Sequence, residues 1–152
     1  MSAPKLRFHD DVGLVFPKWE EKALSMVCNR IMDGTHFSPK SKEGPRKYLT
    51  SKNIRNEGID LKDCNFISVV EHQEIFKKCP VKMGDILLTK DGANTGNCCI
   101  NTLPEEFSLL SSVAVLDGKD DELNGSFKNF MNAFLHLLRN ARGLIPRWIS
   151  AA

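Results

Sequence analysis

The spacing of apolar residues changes character several times along the chain. From Glu20 to Ile31, Ala23, Leu24, Met26, Val27, Cys28 and Ile31 recur at helical rather than alternating intervals, which predicts a short helix stopped by Asp33-Gly34. Lys47-Tyr48-Leu49-Thr50 reads as a brief strand, Asn56-Glu57-Gly58 as a turn and Phe66-Ile67 as another strand segment. Ser68-Val69-Val70-Glu71 has the spacing of a capping box, opening a helix to Lys77 or Lys78 that Pro80 forbids from continuing. Ile86, Leu87 and Leu88 form an apolar run entered through Gly84-Asp85. The following segment, Asp91-Gly92-Ala93-Asn94-Thr95-Gly96, is dense in residues that tolerate positive φ, so 85–100 reads as strand, tight loop, strand. Ser108 to Leu116 reads as one buried strand. Phe127, Phe130, Met131, Phe134, Leu135, Leu137 and Leu138 set an amphipathic helix over 126–142 with Gly143 as its stop.

Short strands joined by turns, without regular strand–helix alternation, predict an α+β fold. The expected core is a mixed or antiparallel sheet around a central hairpin at about 85–100, with three or four helices. At 152 residues the chain is one domain, 1–143, with an extended N-terminal arm over 1–18 that carries Pro4 and Pro17, and a short tail over 144–152. No apolar run is long enough to span a bilayer, and the N-terminus has no apolar signal core, so the expected location is cytoplasmic. Five cysteines, odd in number and without a C-x-x-C, argue against a disulfide framework or a zinc ribbon and predict reduced thiols, with no metal and no cofactor.

Charge adds what periodicity cannot. The net charge is only +2, yet Ser38 to Arg55 holds six basic residues, Lys40, Lys42, Arg46, Lys47, Lys52 and Arg55, against the single acid Glu43. Such a segment either is a solvated loop or holds a polyanion by one face. In a DNA-binding reading those six residues hold phosphates, joined by Lys90 beside the 91–96 loop, whose backbone N–H groups would point outward. His36, Asn53, Asn94 and Thr95 are the polar side chains suited to base edges, and Thr35 is a further DNA-binding candidate.

Taken in order, several stretches resemble the target-recognition domain of type I restriction-modification specificity subunits. They are Pro4-Lys5-Leu6-Arg7-Phe8 with Trp19 and Leu24, Asp33-Gly34-Thr35-His36 with Ser38-Pro39, Tyr48 through Ile54 with its Asn53-Ile54 pair, and Gly84-Asp85-Ile86-Leu87-Leu88-Thr89-Lys90-Asp91-Gly92 with Gly96. The resemblance covers roughly residues 1–140. It implies a non-catalytic module that recognises a sequence in double-stranded DNA. Its partners would be a methyltransferase subunit and a restriction/translocase subunit, where the full specificity subunit is present. Whole family members carry two such domains and long spacer helices; this chain has one, and no heptad repeat follows Arg142, so a truncated or cut form is expected.

Two readings of other classes compete. Asp33 with Asp60-Leu61-Lys62 can be fitted to the D…D-x-K pattern of a Mg²⁺-dependent nuclease, a string common by chance in a chain with 19 acids. Alternatively, the helix over 126–142 closes its own core or serves as a protein-interaction face that forms a homodimer. An adenine methyltransferase is disfavoured by the lack of an Asn-Pro-Pro-Tyr-like segment and of a Gly-rich cofactor fingerprint. Scattered Ser, His and Asp form no hydrolase signature.

Overall fold

The computed structural model describes Gly13 and residues 23–118. The helix expected over 126–142, the tail over 144–152 and the arm over 1–18 apart from Gly13 lie outside the described residues. In chain order the elements are α1 (Leu24–Val27), β1 (Cys28–Asp33), β2 (Arg46–Leu49), a 3₁₀ turn (Ser51–Asn53), β3 (Ile54–Arg55), β4 (Gly58–Ile59), β5 (Asn65–Ile67), α2 (Val69–Lys78), β6 (Ile86–Thr89), β7 (Cys98–Ile100), β8 (Ser108–Leu109) and β9 (Val113–Gly118).

This arrangement corrects the expected fold. Strands dominate, the described residues hold two α-helices rather than three or four, and the strands divide among three sheets. The hairpin of β6 and β7 is not the centre of its sheet. The order is β1-β9-β6-β7, with β9 and β6 inside and β7 at an edge. A second sheet, β5-β2-β8, pairs β2 antiparallel with β5 and parallel with β8, and β3 and β4 form a small third one. The helix expected through Ile31 is limited to one turn, because Cys28–Asp33 pairs antiparallel with Val113–Gly118, with a register irregularity between Cys28 and Arg30. Pairing with a buried central strand overrides the weak local helical spacing. The single strand expected from Ser108 to Leu116 is broken at Leu110–Ser112, where the Val113 amide turns back to the Leu110 carbonyl at 3.0 Å.

The continuous Ile86-Leu87-Leu88 run has a direct cause: its sheet is buried on both faces. Leu87, Cys99, Val113 and Val115 pack with Leu49, Ile54, Phe107 and Leu109 in the main core. Ile86, Leu88, Cys98, Ala114 and Leu116 form a second buried cluster with Cys28. Each large aliphatic side chain so buried contributes about 2 kcal/mol. Four of the five cysteines are buried; burial pushes the Cys99 thiol up to about 12 and Cys79 to about 11, which leaves both protonated and unreactive near neutral pH. No helix among the described residues is long and apolar enough to cross a membrane.

Candidate nucleic-acid interface

Strand register brings the candidate loops to one end of the four-stranded sheet. Asp33, the last residue of β1, lies opposite Ala114; Thr89, the last of β6, lies opposite Val113, the first of β9; and Leu88 lies opposite Cys98, the first of β7. The segment after β1, the 90–97 loop and the Leu110–Ser112 break therefore emerge together. An ion pair between Lys90 Nζ and Asp33 Oδ2 at 2.6 Å joins the first two. The 50–56 segment docks on the 90–98 hairpin: Asn94 Nδ2 donates to the Ser51 carbonyl at 3.3 Å, Asn97 Nδ2 to the Ile54 carbonyl at 3.0 Å, and the Cys98 amide to Asn56 Oδ1 at 3.0 Å.

The loop after β1 is held at both ends. Gly34 has no room for a side chain, since a Cβ there would overlap the Leu109 carbonyl. Next to it the Thr35 amide donates to the Leu109 carbonyl at 2.7 Å, and the Ser111 amide donates to the Thr35 carbonyl at 2.9 Å. At the far end, the Glu71 carboxylate accepts from the Lys40 amide at 2.6 Å, from the Ser41 amide at 3.0 Å and from the Ser41 hydroxyl. These donors, Ser41 first and then Lys40, hold the Glu71 carboxyl below its ordinary value. Ser68 caps α2 by accepting from the Glu71 amide at 3.3 Å, but the reciprocal bond of a capping box is diverted: the Ser68 amide donates to Ser41 Oγ at 2.9 Å. Between the loop and α2 lies an open depression of about 430 Å³ bordered by Asp33, His36, Phe37, Lys40, Glu74 and Lys78.

The expected contact residues separate into groups. His36, Lys40, Lys42 and Lys52 are exposed, and among the described residues none of the three lysines is in an ion pair. Lys90 is at the same end but committed to Asp33. Asn94 spends its amide on Ser51, and the Thr95 hydroxyl donates to the Gly92 carbonyl at 2.6 Å while keeping acceptor capacity. Thr35 belongs to the loop's anchor, its Oγ1 accepting from the Phe37 amide at 3.3 Å.

Three expectations need correction. Asn53 is only 1% exposed. Its Oδ1 accepts from the Thr50 amide at 3.0 Å and its Nδ2 donates to the Asp60 carbonyl at 2.9 Å, so it organises the 50–60 segment, and its burial keeps it from a base edge. Arg46 and Lys47 lie on β2, opposite Ile67 and Phe66, and face acids instead of the loop end. Lys47 Nζ meets Glu105 Oε1 at 2.6 Å and Arg46 meets Glu106 Oε2 at 4.0 Å, and the Lys47 bond holds the Glu105 carboxyl below its ordinary value. Arg55 is more loosely paired with Asp60 at 3.9 Å. Finally, the 90–97 loop does not present all its amides outward. Those of Lys90, Thr95, Gly96 and Asn97 donate to Ser112, Gly92, Thr89 and Asn94 carbonyls, leaving the Asp91–Asn94 stretch without a described backbone acceptor.

The nuclease pattern is not assembled either. Asp33 is bound to Lys90, whereas Asp60 faces Arg55 and accepts from the Lys62 amide at 3.0 Å. A sequence reading also missed a polar line across the second sheet: His72 Nδ1 lies 3.0 Å from Ser108 Oγ and its Nε2 3.5 Å from Glu106 Oε2. It resembles a hydrolase triad only in residue type. Ser108 is fully buried within β8, so the contact fastens α2 to β8 and offers a substrate no approach. The other residue missed is Phe37, which is 81% exposed within the anchored loop; a Phe flanked by polar residues was its only sequence signal.

No family model matches this chain, and no curated protein matches it.

Proposed function

We propose that this chain is a sequence-specific double-stranded DNA-binding module, of the type I restriction-modification target-recognition kind, with no chemistry of its own. The observation that carries the reading is the gathering of the start of the segment after β1, the 50–56 segment with exposed Lys52 and the 90–97 loop at one sheet end; Lys40 and Lys42, exposed and in no ion pair among the described residues, lie further along the segment after β1, where Glu71 holds it. Lys40, Lys42 and Lys52 would hold phosphates and so set register, while His36, Thr95 and the Asp91–Asn94 backbone would face the groove. The ordered motif resemblance supports the same assignment. Both runs that carry it most strongly, Asp33-Gly34-Thr35-His36 and Gly84 to Gly96, feed this end. In this reading the chain acts in the cytoplasm with methyltransferase and restriction/translocase subunits and needs no cofactor.

Fluorescence anisotropy with a randomised duplex tests it. Binding at low salt that weakens with a log–log slope of about −3 is the expected result, one counterion release for each of the three unpaired lysines. Absence of binding at low salt overturns the reading.

A further inference from the structure

The four-stranded sheet has two faces, and the described residues account for the burial of only one. By strand alternation and register, Leu87, Cys99, Val113 and Val115 point into the main core, where Leu49, Ile54, Phe107 and Leu109 cover them. Ile86, Leu88, Cys98, Ala114 and Leu116 point the other way, and none is more than 6% exposed. Neighbours within one sheet stand side by side about 5 Å apart, so they shield each other's flanks but cannot roof one another. Yet among the described residues this second cluster draws only on β1, β6, β7 and β9 themselves, with Val27 of α1 packed against it. A sheet face so withdrawn from water has a second layer over it.

We infer that this layer is the chain's own segment 126–142, which lies outside the described residues, seated by its apolar stripe on Ile86, Leu88, Cys98, Ala114 and Leu116. The chain leaves the sheet at Gly118, the end of β9, an inner strand that itself carries Ala114 and Leu116, and consecutive elements usually pack together. Residues 119–125 span about 23 Å when extended, against about 14 Å from β1 to β7, so the segment reaches any part of the face. The pattern also fits a flat apolar surface. At about 100° per residue Phe127, Phe130, Met131, Phe134, Leu135 and Leu138 fall within one half of a helical circumference, and Lys128, Asn132, His136 and Arg139 within the other. The N-terminal arm, by contrast, is interrupted by Pro4 and Pro17 and adjoins β1 at the sheet's edge. On this account the stripe is spent inside the chain and does not form a homodimer. The inference is independent of the DNA-binding reading.

Photocrosslinking in the full chain tests it directly. Phe134→p-benzoylphenylalanine keeps an aromatic side chain on the stripe, and irradiation should join it, within one molecule, to peptides carrying residues 86–88, 98–100 or 114–116. The yield should not change with protein concentration. Crosslinks to α2 or to a second copy in place of the sheet overturn the inference. The vicinal thiols Cys98 and Cys99 give a second readout, since they lie on opposite faces. Phe130→Ala with Phe134→Ala should speed alkylation of Cys98 by about tenfold or more while Cys99 stays protected in the main core. Lys128→Ala with Asn132→Ala, on the opposite stripe, should leave both thiols at the wild-type rate. Unchanged Cys98 labelling in the Phe130/Phe134 variant also overturns the inference, and opening of the same thiol by Trp19→Ala instead assigns the face to the N-terminal arm.

Discussion

Lys40 and Lys42 belong to the same basic stretch as Arg46 and Lys47, a few residues apart, and the fold treats the two pairs differently. The first pair stands on the anchored loop, exposed and without an ion pair among the described residues. The second sits on β2, half-buried, with Lys47 on Glu105 at 2.6 Å and Arg46 near Glu106 at 4.0 Å. Charge counted along a sequence is therefore not charge available to a ligand. An anion approaching β2 must break two ion pairs, whereas one approaching Lys40 and Lys42 breaks none among the described residues, although the Glu71 and Glu74 carboxylates border the same depression as Lys40. The paired residues contribute to the seam between β2 and the Glu105–Glu106 turn, and the unpaired ones remain for a partner.

The largest expected effect comes from removing the loop's seat. Gly34→Ala puts a methyl group into the Leu109 carbonyl, a backbone atom that cannot step aside, and should destabilise the protein by about 3 kcal/mol in denaturant titration. It should weaken DNA binding through Lys40 and Lys42 while leaving the Lys47–Glu105 pair formed. Next in size is Asn53→Ala, which strands the Thr50 amide and the Asp60 carbonyl and should cost about 2 kcal/mol of stability. Its salt slope should match wild type; a lost discrimination between DNA sequences in a variant of unchanged stability would return Asn53 to base reading.

A smaller effect should be confined to acid. Glu71 has a folded pKa below its ordinary value of 4.5, because Ser41 and Lys40 donate to the carboxylate. A lowered carboxylate contributes stability that is fully present above the ordinary value and is lost as pH falls through the folded one. The wild type should lose stability relative to Glu71→Gln as the pH falls below 4.5, and the gap in melting temperature between them should narrow there. An unchanged gap from pH 6 to pH 3 would mean that Glu71 does not pin the loop as a charged group; both variants are to be measured in about 0.1 M salt to limit effects of exposed charges.

Local signals were legible where the chemistry is local. Ser68 and Glu71 marked the start of α2, and the Gly-rich 91–96 run marked the β6–β7 turn, where Gly92 and Gly96 have φ of 91° and 92°. Residues whose role depends on distant partners were not legible. Glu71, three positions from Ser68, accepts from the Ser68 hydroxyl at 3.2 Å but not from its amide, which donates to Ser41, and the carboxylate also reaches 30 residues upstream to Ser41. The neutralisation of Arg46 and Lys47 depends on β2 lying parallel to β8, with Tyr48 opposite Ser108, a pairing that no spacing in the sequence announces. The same long-range pairing turned Cys28–Asp33 into a strand against β9. Within the candidate site, residue type picked out the exposed His36, Lys40, Lys42 and Lys52, but it gave Asn53 the same rank although its amide is engaged inside the fold.

The most direct test sets the two basic pairs against each other in one salt titration. Anisotropy with a duplex enriched by the wild-type protein should give a log–log slope of about −3; Lys40→Gln with Lys42→Gln should flatten it by about 2, and Arg46→Gln with Lys47→Gln should leave it within about 0.5 of wild type. If the Arg46/Lys47 variant flattens the slope as much as the Lys40/Lys42 variant, or more, the anchored loop is not where this protein holds phosphate.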